Sequence, residues 1–132
     1  MNRSMPPGVI IPELPYPNVR EAVDWLCETF GFTERLRMGD HRAQLQFGEG
    51  SLVVTQGGNS NPPVSVMVRV ANVDAHYEHV AKAGTKIIHE PADYPYGERQ
   101  YTVEDPGGHQ WTFSQTISDV DPAAWGGTLL LG

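Results

Sequence analysis

The chain has one cysteine, Cys27, among 132 residues, so an intrachain disulfide is excluded and a reducing compartment is the natural setting. Basic residues are scarce: nine Lys and Arg stand against sixteen Asp and Glu, a net charge of −7. A nucleic acid or an anionic membrane needs a basic face, so both are set aside as partners. A cationic small molecule suits this balance, and so does plain solubility. No apolar run approaches the ~20 residues of a membrane span. The opening MNRSMPPGV lacks the apolar stretch of a secretory leader, and a cytoplasmic protein is expected. A Ser-His-Asp arrangement and a phosphate-cradling glycine loop are missing too. The glycine pairs at 57–58, 107–108 and 126–127 read as turns.

What the chain does have is a repeat. Val19, Ala22, Val23, Leu26, Cys27 and Phe30 follow steps of three and four, the stripe of an amphipathic helix laid on a core. The same steps return 54 residues later in Val73, His76, Tyr77, Val80, Ala81 and Gly84. Asn18 and Asn72 open the two stretches as matching N-caps. An apolar extended run precedes each helix, at residues 9–14 and 64–70, and turn-punctuated strands follow it. The period predicts two copies of one strand–helix–strands unit. The chain divides as a single domain, 1–132, with a first module at 9–57, a linker at 58–63, a second module at 64–116 and a tail at 117–132.

Residues 1–8, with Pro6-Pro7-Gly8, read as a loose arm. The prolines of PELPYP make an irregular approach to the first helix, which ends at Gly31. Strands are expected over 33–38, 42–47 and 51–56. In 42–47, Ala43, Leu45 and Phe47 share one face and Arg42, Gln44 and Gln46 the other. In the second copy, strands are expected at 85–88, 99–104 and 109–115. The Pro- and Tyr-bearing residues 90–97 read as a loop lying over a pocket. Asp105-Pro106-Gly107-Gly108 is strong turn chemistry. In the tail, residues 121–126 read as one capped helical turn, and residues 128–131 as apolar and without a partner.

Glu104-Asp105-Pro106-Gly107-Gly108-His109-Gln110-Trp111, with Val73-Asp74 opening the second helix, resembles the vicinal oxygen chelate superfamily, the group of glyoxalases, bleomycin-resistance proteins and extradiol dioxygenases. The resemblance covers about residues 9–115. It implies an α+β fold in which two βαβββ modules form a cupped mixed sheet, usually in a homodimer. Enzymes of the group hold a divalent metal through His and Glu, side chains that suit a cation left open to substrate oxygens. Carried over position by position, the ligand sites fall on Ile11, Val54, Ser65 and Thr112. None is His, Glu or Asp, so neither a metal nor another cofactor is expected.

The same counting by twos places Glu13, Leu52, Gln56, Met67, Arg69, Gln110 and Ser114 on the inner face of the cup. Val66, Val68, Val70, Trp111 and Phe113 take the helix-packed face. Arg69 has two open readings: an anchor for a ligand anion or carbonyl, or an ion pair with Glu13. Glu13 is also the candidate general base, against the plainer reading of a solvated strand end. His76 and His79 read as a surface or half-buried helical pair, His41 and His109 as exposed turn residues, and Cys27 as a buried inert thiol. Tyr16, Phe47, Tyr94, Tyr96, Tyr101 and Trp125 are the aromatic candidates, with ordinary core packing the favoured reading for Phe47 and Tyr101. The candidate ligand set is therefore Arg69, Glu13, Gln110, Thr112, Gln56, Tyr96 and Tyr101. The expected function is metal-free binding of a small molecule, cationic or aromatic, by sequestration. The alternative is an enzyme of the group: a glyoxalase-like lyase, a dioxygenase-like activity, or a metal-independent isomerase.

Overall fold

A computed structural model describes residues 2–57 and 63–130. The linker expected at 58–63 lies almost wholly outside the described residues, as does Leu131 of the apolar tail. The chain resolves into two compact units, one built on residues 1–64 and the other on 65–132, with 106–108 grouped with the first.

In the first unit, strand β1 (Glu13–Tyr16) leads to helix α1 (Val19–Trp25), followed by β2 (Thr33–Met38), β3 (Arg42–Phe47) and β4 (Gly50–Gln56). Asn18 caps α1 by accepting the Glu21 N–H. The helix closes through a π-type turn, Leu26–Phe30, and stops at Gly31, whose φ of 88° is left-handed. The sheet order is β1-β4-β3-β2, with β1 parallel to β4 and the other pairs antiparallel. Leu14, Tyr16, Ala43, Leu45, Leu52 and Val54 are buried with Val19, Val23, Leu26 and Phe30 of the helical segment, as the apolar stripe requires.

The second unit repeats the plan: β5 (Ser65–Arg69), α2 (Val73–Lys82), β6 (Lys86–Tyr94), β7 (Glu98–Glu104) and β8 (Gln110–Thr116), in the order β5-β8-β7-β6. Asn72 caps α2 through the Ala75 N–H, and the Gln115 side chain accepts the Val73 N–H. Beneath α2 lie Tyr101, Val103, Trp111 and Phe113, all fully buried. The Asp105 carboxylate anchors the β7–β8 turn, accepting the His109 N–H and the Trp111 Nε1–H, each at 2.9 Å.

Four expectations give way. Residues 9–11 do not join a strand: β1 begins at Glu13, where Leu14 and Tyr16 first supply core side chains, and Val9 and Ile10 stay exposed. Residues 90–97 are not a loop over a pocket. β6 runs on to Tyr94, its irregular register between His89 and Ala92 accommodating Pro91 on an edge strand. His109 is buried in its turn, not exposed. The arm at residues 2–8 is not loose, since it is tied to the first sheet by Arg35 and Gln44.

Candidate ligand site on the second sheet

The two faces of the second sheet separate cleanly. Val66, Trp111, Phe113, Tyr101 and Val103 pair across one face under α2. The opposite face carries Ser65, Met67 and Arg69 from β5, Gln110, Thr112 and Ser114 from β8, and Glu98, Gln100 and Thr102 from β7. The expected alternation of β5 and β8 is therefore met. Sequence reasoning missed Glu98 and Gln100, although the polar alternation Glu98, Gln100, Thr102 against Tyr101 and Val103 carried the signal.

These polar residues form a directed chain. The Tyr96 hydroxyl donates to Gln100 Oε1 at 3.0 Å, Gln100 Nε2 donates to Ser114 Oγ at 3.0 Å, and Ser114 donates to Glu98 Oε1 at 2.6 Å. Gln100 and Ser114 are only 7% and 2% exposed, so their orientation is fixed by this chain and not by water. The hydroxyls of Ser114 and then Thr116 hold the Glu98 carboxyl below its usual range, and the nearby charge of Arg69 adds to the effect. Burial pushes the Tyr96 phenol up, so it stays protonated. Its proton is committed to Gln100, which leaves its oxygen as an acceptor. Thr102 and Thr112 share a hydrogen bond of 2.9 Å beside this chain.

Aromatic rings edge the same region. Tyr94 stacks on Tyr96 with centroids 5.6 Å apart, and Trp125 tilts against Tyr96 at 5.5 Å. Trp125 comes from the short capped turn Pro122–Trp125, half exposed at the end of a tail that Gly97 holds down. Ile117 and Ser118 donate to the Gly97 carbonyl. A Cβ on Gly97 would stand 2.3 Å from the Ser118 oxygen, and its φ of 85° favours glycine as well.

The candidate residues thus sort by place. Arg69, Gln110, Thr112 and Tyr96 share the polar side of this unit. Tyr101 does not: it is fully buried under α2, stacked on Phe113 and bonded to His76 Nδ1, and burial pushes its phenol well above the usual range. It is a core residue. Glu13 is held by Arg42 of its own sheet at 2.7 Å. In the first sheet Glu13 stands opposite Val53, while Leu14 stands opposite Val54. Val54 and Leu52 therefore face α1, and the inner-face reading of Val54, Leu52 and Gln56 is corrected by one residue. The polar face there carries Ser51, Val53 and Thr55 instead. Cys27 is half-buried, and burial followed by the charge of Glu34 pushes its thiol up, away from nucleophilic use.

The donor set for a family-type metal can be tested sheet by sheet. The first offers Glu13, already ion-paired and opposite an apolar Val53. At and beside the carried-over positions the second offers Ser65, Met67, Gln110 and Thr112, and the carboxylate on the same face, Glu98, is engaged by Ser114. The neutral groups at the carried-over positions do not make the His and Glu set with which the family's enzymes hold their metal. Among the described residues no three His, Cys, Asp or Glu side chains converge.

The chain is built of two βαβββ units, each with a polar sheet face opposite its helix, and the sequence says which family builds them. Residues 10–113 match the model of the Glyoxalase/Bleomycin resistance protein/Dioxygenase superfamily, and the chain belongs to that family. An uncharacterized protein of Mycobacterium bovis is 30% identical over 91 residues, 69% of this chain and 57% of that protein. The chain thus spans a little over half the length of that relative. TioX from Micromonospora sp. ML1 is similar in structure, with a TM-score of 0.76 and 33% identity over 83% of this chain and 99% of that one. A glyoxalase/bleomycin resistance protein/dioxygenase from Nocardioides shares the fold, with a TM-score of 0.72 at 20% identity over 95% of this chain and 91% of that one.

Proposed function

We propose that the protein binds a small molecule on the polar face of the second sheet and sequesters it without chemistry. The observation that carries this reading is the one-way hydrogen-bond chain from Tyr96 to Glu98. The three hydrogen bonds all run one way, from Tyr96 toward Glu98, and the two ends, the Tyr96 oxygen and the Glu98 carboxylate, are acceptors. A ligand that meets them brings N–H or O–H donors, and a cation is favoured over an anion. The rings of Tyr94, Tyr96 and Trp125 add stacking surface for a flat ligand. Base catalysis is disfavoured because the hydroxyls of Ser114 and Thr116 hold the Glu98 carboxyl below its usual range, which weakens it as a base. Glu13, the other candidate base, is engaged by Arg42. We further propose that the chain works as a cytoplasmic homodimer, for which the exposed Met67, Ile117, Leu129 and Leu130 offer apolar surface.

Proflavine, a planar aromatic cation with amino donors, is a suitable probe. Its addition is expected to raise the melting temperature of the native chain. Tyr96→Phe keeps the ring but loses the acceptor, and Glu98→Gln loses the charge. Each should weaken the shift, and mass spectrometry should return the probe unchanged. A full shift in both variants, or conversion of the probe, would sink the proposal.

A further inference from the structure

The first sheet holds an arginine that the rest of the acidic chain would lead one to find ion-paired. Arg20, Arg37, Arg42 and Arg99 each meet a carboxylate. Half-buried Arg35 does not: among the described residues its Nη1 donates to Gln44 Oε1 at 2.7 Å and its Nη2 to the Arg3 carbonyl at 2.8 Å. Gln44, only 5% exposed, turns its own Nε2 to the Ser4 carbonyl at 2.8 Å. Two backbone carbonyls of the arm therefore sit on a guanidinium and an amide that Arg35 orients.

The seat is larger than these bonds use. Ser51 lies on the same face, opposite Gln46, and is 9% exposed with no partner for its hydroxyl among the described residues. Asn2, Met5, Pro6, Pro7, Gly8, Arg35 and Gln46 line an open cavity of about 410 Å³ between arm and strands. The arm has no strand or helix of its own, and Val9 and Ile10 beyond it are exposed. A guanidinium takes a carboxylate through charge-assisted, often bidentate bonds that are stronger than those to neutral carbonyls.

We propose that the polar face of the first sheet is a second binding site, for a small carboxylate, and that the arm is its built-in occupant. The Arg3 and Ser4 carbonyls stand where the carboxylate oxygens go. Arg35 supplies the charge, and Gln44 and Ser51 supply neutral donors. The arm must leave for the ligand to enter, so it lowers the apparent affinity by the fraction of time it is seated.

Benzoate tests this in the ¹⁵N-labelled chain of residues 1–132, with benzamide as the neutral control. Benzoate should move the Arg35 Nε–H and Gln44 side-chain amide signals and shift the Ser4 and Met5 amides toward random-coil positions. Benzamide should do so at much higher concentration only. Arg35→Met should abolish the response. A chain lacking residues 2–7 should bind benzoate about tenfold more tightly, the scale set by losing a competitor held by two hydrogen bonds. Stationary Arg35 and Gln44 signals in the chain of residues 1–132, or equal responses to benzoate and benzamide, would overturn the proposal, whether or not the shortened chain folds.

Discussion

On the first sheet, Arg35 and Gln44 direct their donors at the carbonyls of the chain's own arm, whereas on the second, Gln100 and Ser114 direct theirs at each other and at Glu98. The strands beneath are equivalent: Gln44 stands opposite Val53 as Thr102 stands opposite Thr112. The helix-facing layers also correspond, Ala43 and Leu45 matching Tyr101 and Val103. The two units share their core plan and their caps and differ in their polar faces. The differences of chemistry lie in the residues that face away from the helices, where packing does not dictate identity.

The strongest way to break the comparison is to remove a device found in the second unit alone. Asp105→Ala leaves the His109 N–H and the Trp111 indole N–H, both in buried residues, without their carboxylate. The expected cost is about 3–5 kcal/mol, read as a lower urea midpoint with little change in slope. A loss below about 1 kcal/mol would mean that water or another group satisfies both donors.

Ser114→Ala cuts the chain at its middle and should cost about 1–3 kcal/mol near neutral pH. Its pH dependence has a defined sign. The Glu98 carboxyl is lowered from the ordinary 4.5, so its contribution is present above that value and is lost as pH falls through the folded-state value. The gap between the native protein and the variant should therefore narrow on acidification below pH 4.5. In the first unit Glu34, held to about 2 mainly by the Arg37 hydrogen bond and then by Arg20, against the opposing effect of burial, predicts an acid limb that runs from 4.5 down to about 2. Glu34→Gln should remove that limb, and a Ser114→Ala gap that widens in acid would contradict the account of Glu98.

The smallest effects sharpen the sameness of the two units. Asn18→Ala and Asn72→Ala each lose one cap bond, to Glu21 N–H and Ala75 N–H. Each should cost about 1 kcal/mol in thermal unfolding. A cost at one site alone would show that the repeat is not energetically symmetric.

Much of this was readable in the residues. Apolar steps of three and four, paired asparagines and the second-sheet alternation gave the helices, their caps and the face bearing Arg69, Gln110 and Thr112. The first-sheet face was misread because the two hairpins differ in length. Gly50 already pairs with Phe47 inside its ladder, whereas five residues, 105–109, separate Glu104 from its partner Gln110. Counting an equal distance from Gly50 and from Gly108 therefore reversed the parity and chose Val54 over Val53. The arm's place was not legible, because its carbonyls and not its side chains are what Arg35 and Gln44 hold. Tyr101 was ambiguous for a different reason: an aromatic with a hydroxyl suits a site or a core equally until its partner, His76, is known.

The most direct test of the central claim follows the side-chain amides of Gln44 and Gln100 in one spectrum as proflavine is added. The two glutamines report the two polar faces from within. The account predicts that the Gln100 pair shifts in proportion to bound probe while the Gln44 pair stays in place. Movement of Gln44 with Gln100 unmoved would contradict it, because the cation would then have chosen the face of Arg35 over the face of the Glu98 carboxylate.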